Sequence, residues 1–414
     1  MSVKKQQDGH PLWSPSLWTH FPALQQPEYS EPSAVSYAVR QLQTAPPLVT
    51  AADIISLRQA LAKVSAGQGI VLQCGDCAES FAGCREDVLT DWTETVSTMS
   101  AIISDGFSLP VLKIGRIAGQ YAKPRSSPDE TRNGVTLPSY RGDIINDYGF
   151  TAAARIPAPE RMLNAYYRAA VTLNALHGRE REGEGTDPLF APFYVSHEAL
   201  LLHYDSALTR LSPADHLWYN CAAHTVWLGD RTSEPSQAHV QYLRGIENPV
   251  GIKCGPSMTG EKLGQLLELL DPGKQPGKIM LIVRMGADQI AEKLPPLICE
   301  VSARQSPVVW LTDPMHGNTR STAEGLKTRD FPVICEEIRL FVQLLREADL
   351  YPGGLHLEMT GQAVTECTGG PQALTDKDIG QCYESLCDPR LNREQSVALA
   401  RVAAGYRQSD KQEG

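Results

Sequence analysis

Residues 249–288 read PVGIKCGPSMTGEKLGQLLELLDPGKQPGKIMLIVRMGAD. An apolar run, PVGIK at 249–253, leads into a helix-period segment at 261–270 and then a second apolar run, IMLIV at 279–283. The pattern is strand, helix, strand. Short continuous apolar runs suit strands buried on both faces, as in a parallel sheet wrapped by helices. Both runs are followed by cations: Lys253 closes the first and Arg284 follows the second.

The same unit recurs in both directions. Six further runs are GIVLQ at 69–73, PVLKIG at 110–115, PFYVS at 192–196, HTVWL at 224–228, PVVWL at 307–311 and GLHLE at 354–358. Helix-period segments at 89–103, 160–176 and 333–345 lie between them. Eight strand–helix units are the number that closes a (β/α)8 barrel. The competing fold, a doubly wound open sheet, calls for a G-x-G-x-x-G turn after a strand, and none stands where it is expected. The expected fold is therefore α/β, a (β/α)8 TIM barrel with an N-terminal extension. Residues 1–50 form the arm, 51–405 the catalytic barrel and 406–414 a frayed tail. The arm, rich in Pro, Gln and aromatics, reads as extended, serving an interface or capping the barrel floor. The segment at 118–151 is too long for a simple connector, and loops of that size tend to be functional. GREREGEGTDP at 178–188 reads as a surface turn.

Composition narrows the function. Lys and Arg number 38 against 48 Asp and Glu, a net charge of −10, which argues against a nucleic-acid binder. Hydrophobic content of 42% and charged content of 21% belong to a globular chain. No apolar run approaches the roughly 18 residues of a membrane span, and the start, MSVKKQQDGH, has no apolar leader core. The expected location is the cytoplasm. Ten cysteines in such a chain point to metal binding, catalysis or plain burial ahead of disulfides.

Chemistry collects where the strands end. Cys77 follows the first run, and Arg116, Lys123 and Arg125 the second. His197 and Glu198 follow the third, Asp230 and Arg231 the fourth, Asp313 and His316 the seventh, and Glu358 ends the eighth. In a barrel these ends share one mouth, where active sites sit. Six cations there (Arg116, Lys123, Arg125, Arg231, Lys253 and Arg284) suit two or more anionic groups, although any one alone is as readily a solvated or ion-paired side chain. Cys77, His316, Glu358 and Asp388 make a mixed donor set suited to Mn, Fe, Co or Zn. The C-x-x-C at 74–77 is a rival signal for a redox pair or a zinc module, weakened because no second C-x-x-C partners it.

These motifs resemble the type II 3-deoxy-D-arabino-heptulosonate 7-phosphate (DAHP) synthases over nearly the whole chain. The match carries QQPEY at 25–29, GDCAESF at 75–81, RIAGQYAKPRS at 116–126, YRGD at 140–143 and YVSHEALLLHYD at 194–205. It continues through GIKCGPSM at 251–258, RMGAD at 284–288, DPMHGNT at 313–319, GGLHLEMTG at 353–361 and CDPRLN at 387–392. The resemblance implies a barrel that condenses phosphoenolpyruvate with erythrose 4-phosphate and releases phosphate. It implies a divalent metal, Mn or Co ahead of Zn or Fe, on Cys77, His316, Glu358 and Asp388. It implies phosphoenolpyruvate contacts at Arg116, Arg231, Lys253 and Arg284, with Asp230 beside them. Erythrose 4-phosphate falls to Lys123, Pro124, Arg125 and Ser126, with Asp388 near the aldehyde. The family's W-x-G-E-R-T is WLGDRT at 227–232, with Asp230 in place of Glu. Larger members carry a helical insertion where this chain has only residues 178–188 and their flanks, so it resembles the short members of secondary, phenazine-type pathways.

Catalytic roles are expected of Lys123, Asp388 and His316. Lys123, read as crowded by arginines, is expected to have a depressed pKa and to donate a proton. Cys387 adjoins Asp388, and oxidation without metal is expected to join it to Cys77. Barrels of this type commonly form homo-oligomers. Alternatives are another phosphoenolpyruvate–aldose synthase or metal-dependent aldolase, and a silent paralogue that binds a partner such as a chorismate mutase. The second would show a lost metal ligand, and none is lost.

Overall fold

In the computed structural model the described residues are 13–179 and 187–408. The opening MSVKKQQDGH, most of the turn at 178–188 and the last six residues lie outside them.

Eight parallel strands close a barrel: β1 Ile70–Gly75, β2 Val111–Arg116, β3 Phe193–Glu198, β4 Thr225–Leu228, β5 Val250–Cys254, β6 Ile279–Val283, β7 Val309–Thr312 and β8 Pro352–Glu358. Each pairs with its neighbour in sequence, and β8 closes onto β1. All eight runs expected to be strands are strands. The four helical segments are helices, slightly longer than their periodicity: Glu86–Phe107, Arg161–Arg179, Gly260–Leu270 and Phe331–Glu347. The open-sheet alternative is excluded by closure.

Alternation along each strand sorts the core. One set of residues, including Val71, Ile114, Tyr194, Met280 and Leu311, fills the barrel interior. Helix α1 at Ala51–Ser65 adds Leu57, Leu61 and Val64 to that set and so plugs the floor. Its start is fixed by a capping box between Thr50 and Asp53. The floor is thus covered by this helix and not by the residue 13–29 arm. Nor is the arm extended throughout. It holds a turn at Leu17–His20 and a helix at Pro32–Thr44, whose Ala38 and Leu42 are buried. The last helix, Arg393–Gln408, runs into the stretch read as a frayed tail. Within 118–151 a small hairpin pairs Asp129–Arg132 with Val135–Pro138.

Candidate active site

Register decides what meets at the mouth. Gly75, Arg116 and Glu358, the last residues of β1, β2 and β8, lie side by side. Gly75 has φ +149°, and a Cβ there would sit 2.6 Å from the Arg116 carbonyl oxygen. Only glycine allows this approach, which brings Cys77 over the end of β8.

Two buried carboxylates hold the loops that follow. Glu79 accepts backbone N–H bonds from Ala118 (3.0 Å), Gly119 (2.9 Å) and Gln120 (2.7 Å), folding the chain after β2 back over the mouth. Glu366 accepts from the backbone N–H groups of Glu384 (3.1 Å), Ser385 (2.8 Å) and Arg390 (2.7 Å), framing the loop that carries Cys387 and Asp388. Arg390 also donates to Glu366 and, at 2.6 Å, to Asp76 next to Cys77.

A cavity of about 240 Å³ opens above the strand ends. All six expected cations line it, together with Pro124, Ser126, Asp230, Cys77, His316 and Asp388. Glu358 lies fully buried beneath it.

The donor atoms of Cys77, Glu358 and Asp388 lie within 4.8 Å of one another. His316 Nε2 is 2.9 Å from Glu358 Oε1, and its Nδ1 is 2.7 Å from Asp313, which fixes the ring. Lys123 Nζ sits 2.5 Å from both Cys77 Sγ and Asp388 Oδ2, so a positive charge already rests on these donors. A thiolate, an imidazole and two carboxylates fit a borderline divalent ion. Cys387 lies beside Cys77, whose thiol pKa is raised by burial and then by this neighbour. Cys74 is different. Its thiol is buried in the apolar layer and burial pushes its pKa up to about 12, which weighs against a reactive role for the C-x-x-C.

The expected depressed lysine is Lys253, not Lys123. Burial lowers Lys123, but Asp388, Cys77 and Glu358 outweigh it and hold the ammonium well above its usual range. Its neighbours are anions, not the arginines sequence suggested. Lys253 is brought down to about 8 by burial, helped by Arg116 and Arg284 and opposed by Asp313.

Sequence reasoning passed over His356, which organises these cations. Its Nε2 lies 2.7 Å from Lys253 Nζ and 2.6 Å from Arg116 Nη1, and Nδ1 lies 2.8 Å from the Gln73 side-chain oxygen. Burial, then Lys253 and Arg116, drives its pKa well below normal, so the ring is neutral and Nε2 accepts both bonds. The missed signal was parity: with Glu358 pointing inward, His356 two residues earlier must as well. Asp230 Oδ2 accepts from Arg284 Nη1 at 3.1 Å, so the shorter carboxylate does carry a side-chain role. Arg329 (2.7 Å from Glu358), Lys327 (2.7 Å from Asp388) and Glu198 were also unassigned. Glu198 is half-buried at the cavity wall; desolvation raises its pKa, and its buried Oε1 has no hydrogen-bond partner.

Fold and site together define a (β/α)8 barrel whose mouth gathers six cations beside a donor set that could hold a divalent ion. Comparison with known proteins fixes the family. The class-II DAHP synthetase family profile matches residues 13–189 and 188–404. A Streptomyces coelicolor phospho-2-dehydro-3-deoxyheptonate aldolase is 43% identical, covering 94% of this chain and 96% of that protein. A Neurospora crassa protein of the same name is 40% identical, covering 97% and 96%. The solved Francisella tularensis phospho-2-dehydro-3-deoxyheptonate aldolase shares the fold, with TM-score 0.51 and 13% identity over 90% of this chain and 96% of that one. The chain belongs to the class-II DAHP synthetase family, enzymes of aldol-type carbon–carbon bond formation.

Proposed function

We propose that this enzyme condenses phosphoenolpyruvate, erythrose 4-phosphate and water to DAHP and inorganic phosphate, the entry step of the shikimate pathway. One observation carries the reading: six cations and the four-residue donor set line or underlie a single cavity. Arg116, Arg231, Lys253 and Arg284 hold the phosphate and carboxylate of phosphoenolpyruvate. Lys123, Pro124, Arg125 and Ser126 take the phosphorylated aldose. Holding both substrates in one orientation removes much of the barrier.

Cys77, His316, Glu358 and Asp388 would hold a divalent ion, Mn or Co ahead of Zn or Fe, which supplies Lewis-acid polarisation of the aldehyde. The methylene carbon of the enol attacks the aldehyde carbon. Lys123, protonated and 2.5 Å from Asp388, delivers a proton to the oxygen that becomes an alkoxide. Water adds at the enol carbon, left as an oxocarbenium-like centre, and the hemiketal phosphate collapses with release of phosphate. Arg116, Lys253 and Arg284 stay on the anionic groups throughout.

Only seven residues, 180–186, separate the described part of the Arg161–Arg179 helix from Asp187. That short spacing, where larger members of the family carry a helical insertion, supports a role like that of the short members that feed secondary metabolism. No helix among the described residues is long and apolar enough to cross a membrane, and a cytoplasmic enzyme is proposed. Phosphate release tests the reaction. It is expected with phosphoenolpyruvate and erythrose 4-phosphate together and with neither alone. Release with a five-carbon aldose phosphate but not erythrose 4-phosphate would favour a different synthase of this type.

A further inference from the structure

The arm has no part in the chemistry above, yet it reaches the mouth. Gln25 spreads its side-chain amide across the backbone of Arg125: Oε1 accepts the Arg125 N–H at 3.0 Å, and Nε2 donates to the Arg125 carbonyl at 3.1 Å. The carbonyls of Gln25 and Gln26 both accept from the Arg141 guanidinium, and the Arg141 carbonyl accepts the Lys123 N–H at 2.9 Å. Both ends of the 123–125 loop are therefore tied to the arm.

Gln26 anchors the other side. Its amide donates to the Leu200 carbonyl at 2.7 Å and accepts from Leu202 N–H at 3.1 Å, just beyond β3. Gln25 itself has φ +58°, a left-handed conformation that an L side chain keeps only when its surroundings impose it. Such strain concentrates beside functional sites.

We propose that Gln25 and Gln26 are positioning residues for the aldose-phosphate end of the site, so that a segment outside the barrel sets affinity for that one substrate. The inference rests on the reading that residues 123–126 bind the aldose phosphate. The arm reads no substrate directly. It fixes the loop backbone so that the Lys123 and Arg125 side chains start from the binding geometry.

The test compares Gln25→Ala, Gln25→Met and Arg125→Ala in the full chain, recording KM for each substrate, kcat and the thermal midpoint. Losing two neutral hydrogen bonds predicts a rise on the order of tenfold in KM for erythrose 4-phosphate in both Gln25 variants. KM for phosphoenolpyruvate and the thermal midpoint are expected to stay near wild type. Gln25→Glu, which still accepts the Arg125 N–H but cannot donate to its carbonyl, is expected to fall between. Equal changes in both KM values, or none, would overturn the inference, because a merely structural arm makes no such split. If Arg125→Ala leaves KM for erythrose 4-phosphate unchanged, the underlying assignment of the loop fails instead.

Discussion

Replacing His356 by alanine should perturb the half of the site proposed for phosphoenolpyruvate without removing a proposed substrate contact. Its Nε2 is the shared acceptor for Arg116 and Lys253, at 2.6 and 2.7 Å. A hydrogen bond to a charged group contributes about 1.5–3 kcal/mol. Neither cation is orphaned by the change: Arg116 keeps Glu358 at 3.0 Å and Lys253 keeps Asp313 at 2.5 Å. The low end therefore applies to each bond, and the total is about 3 kcal/mol. At 1.4 kcal/mol per decade that is roughly a hundredfold loss in kcat/KM for phosphoenolpyruvate. KM for erythrose 4-phosphate should change less than about threefold, since its loop is held by the arm and Glu79. His356→Gln, which keeps an acceptor on the same strand position, should lose less than tenfold. The assay is steady-state phosphate release with each substrate varied, beside a thermal melt to show that the fold survives. If His356→Ala keeps kcat/KM for phosphoenolpyruvate within threefold in a folded protein, the histidine does not organise these cations.

Lys123→Met should fold and bind phosphoenolpyruvate but lose more than a hundredfold in kcat, a typical share for a general acid. Near-normal turnover with weaker aldose binding alone would remove its proton-transfer role. On the barrel floor, Lys278 is buried among the carbonyls of Ile246 and Asn248, and burial brings its pKa down to about 8 from 10.5. Between those values the unfolded chain binds the extra proton, so this group's contribution to stability rises with pH and is lost as pH falls through about 8. The difference in urea stability between wild type and Lys278→Met should thus shift in favour of wild type by on the order of 3 kcal/mol from pH 8 to 10.5; a pH-independent difference would contradict the burial argument. Oxidising the chelated protein should join Cys77 to Cys387, read by peptide mass spectrometry, and two free thiols would reject the pairing.

The barrel was legible because its strands are continuous apolar runs, whose period and length depend on local burial alone. The eight ends could be read the same way, and so most of the residues named from them line or underlie one cavity, His197 excepted, which is buried against Asp205. What could not be read was pairing across the barrel. Lys123 was assigned arginine neighbours because sequence shows its near neighbours in the chain, whereas Asp388 and Cys77, 265 and 46 residues away, set its charge. His356 hid inside an apolar run, where one polar residue looks incidental until its partners across the strands are known. The arm looked peripheral for the same reason: Gln25 and Arg125 are 100 residues apart.

The most direct test of the account is phosphate release from phosphoenolpyruvate and erythrose 4-phosphate by chelator-stripped enzyme, before and after Mn is returned. The account predicts no release when stripped, recovery with Mn or Co, and no recovery in Glu358→Gln or Asp388→Asn. Full activity in the stripped wild-type protein would contradict it.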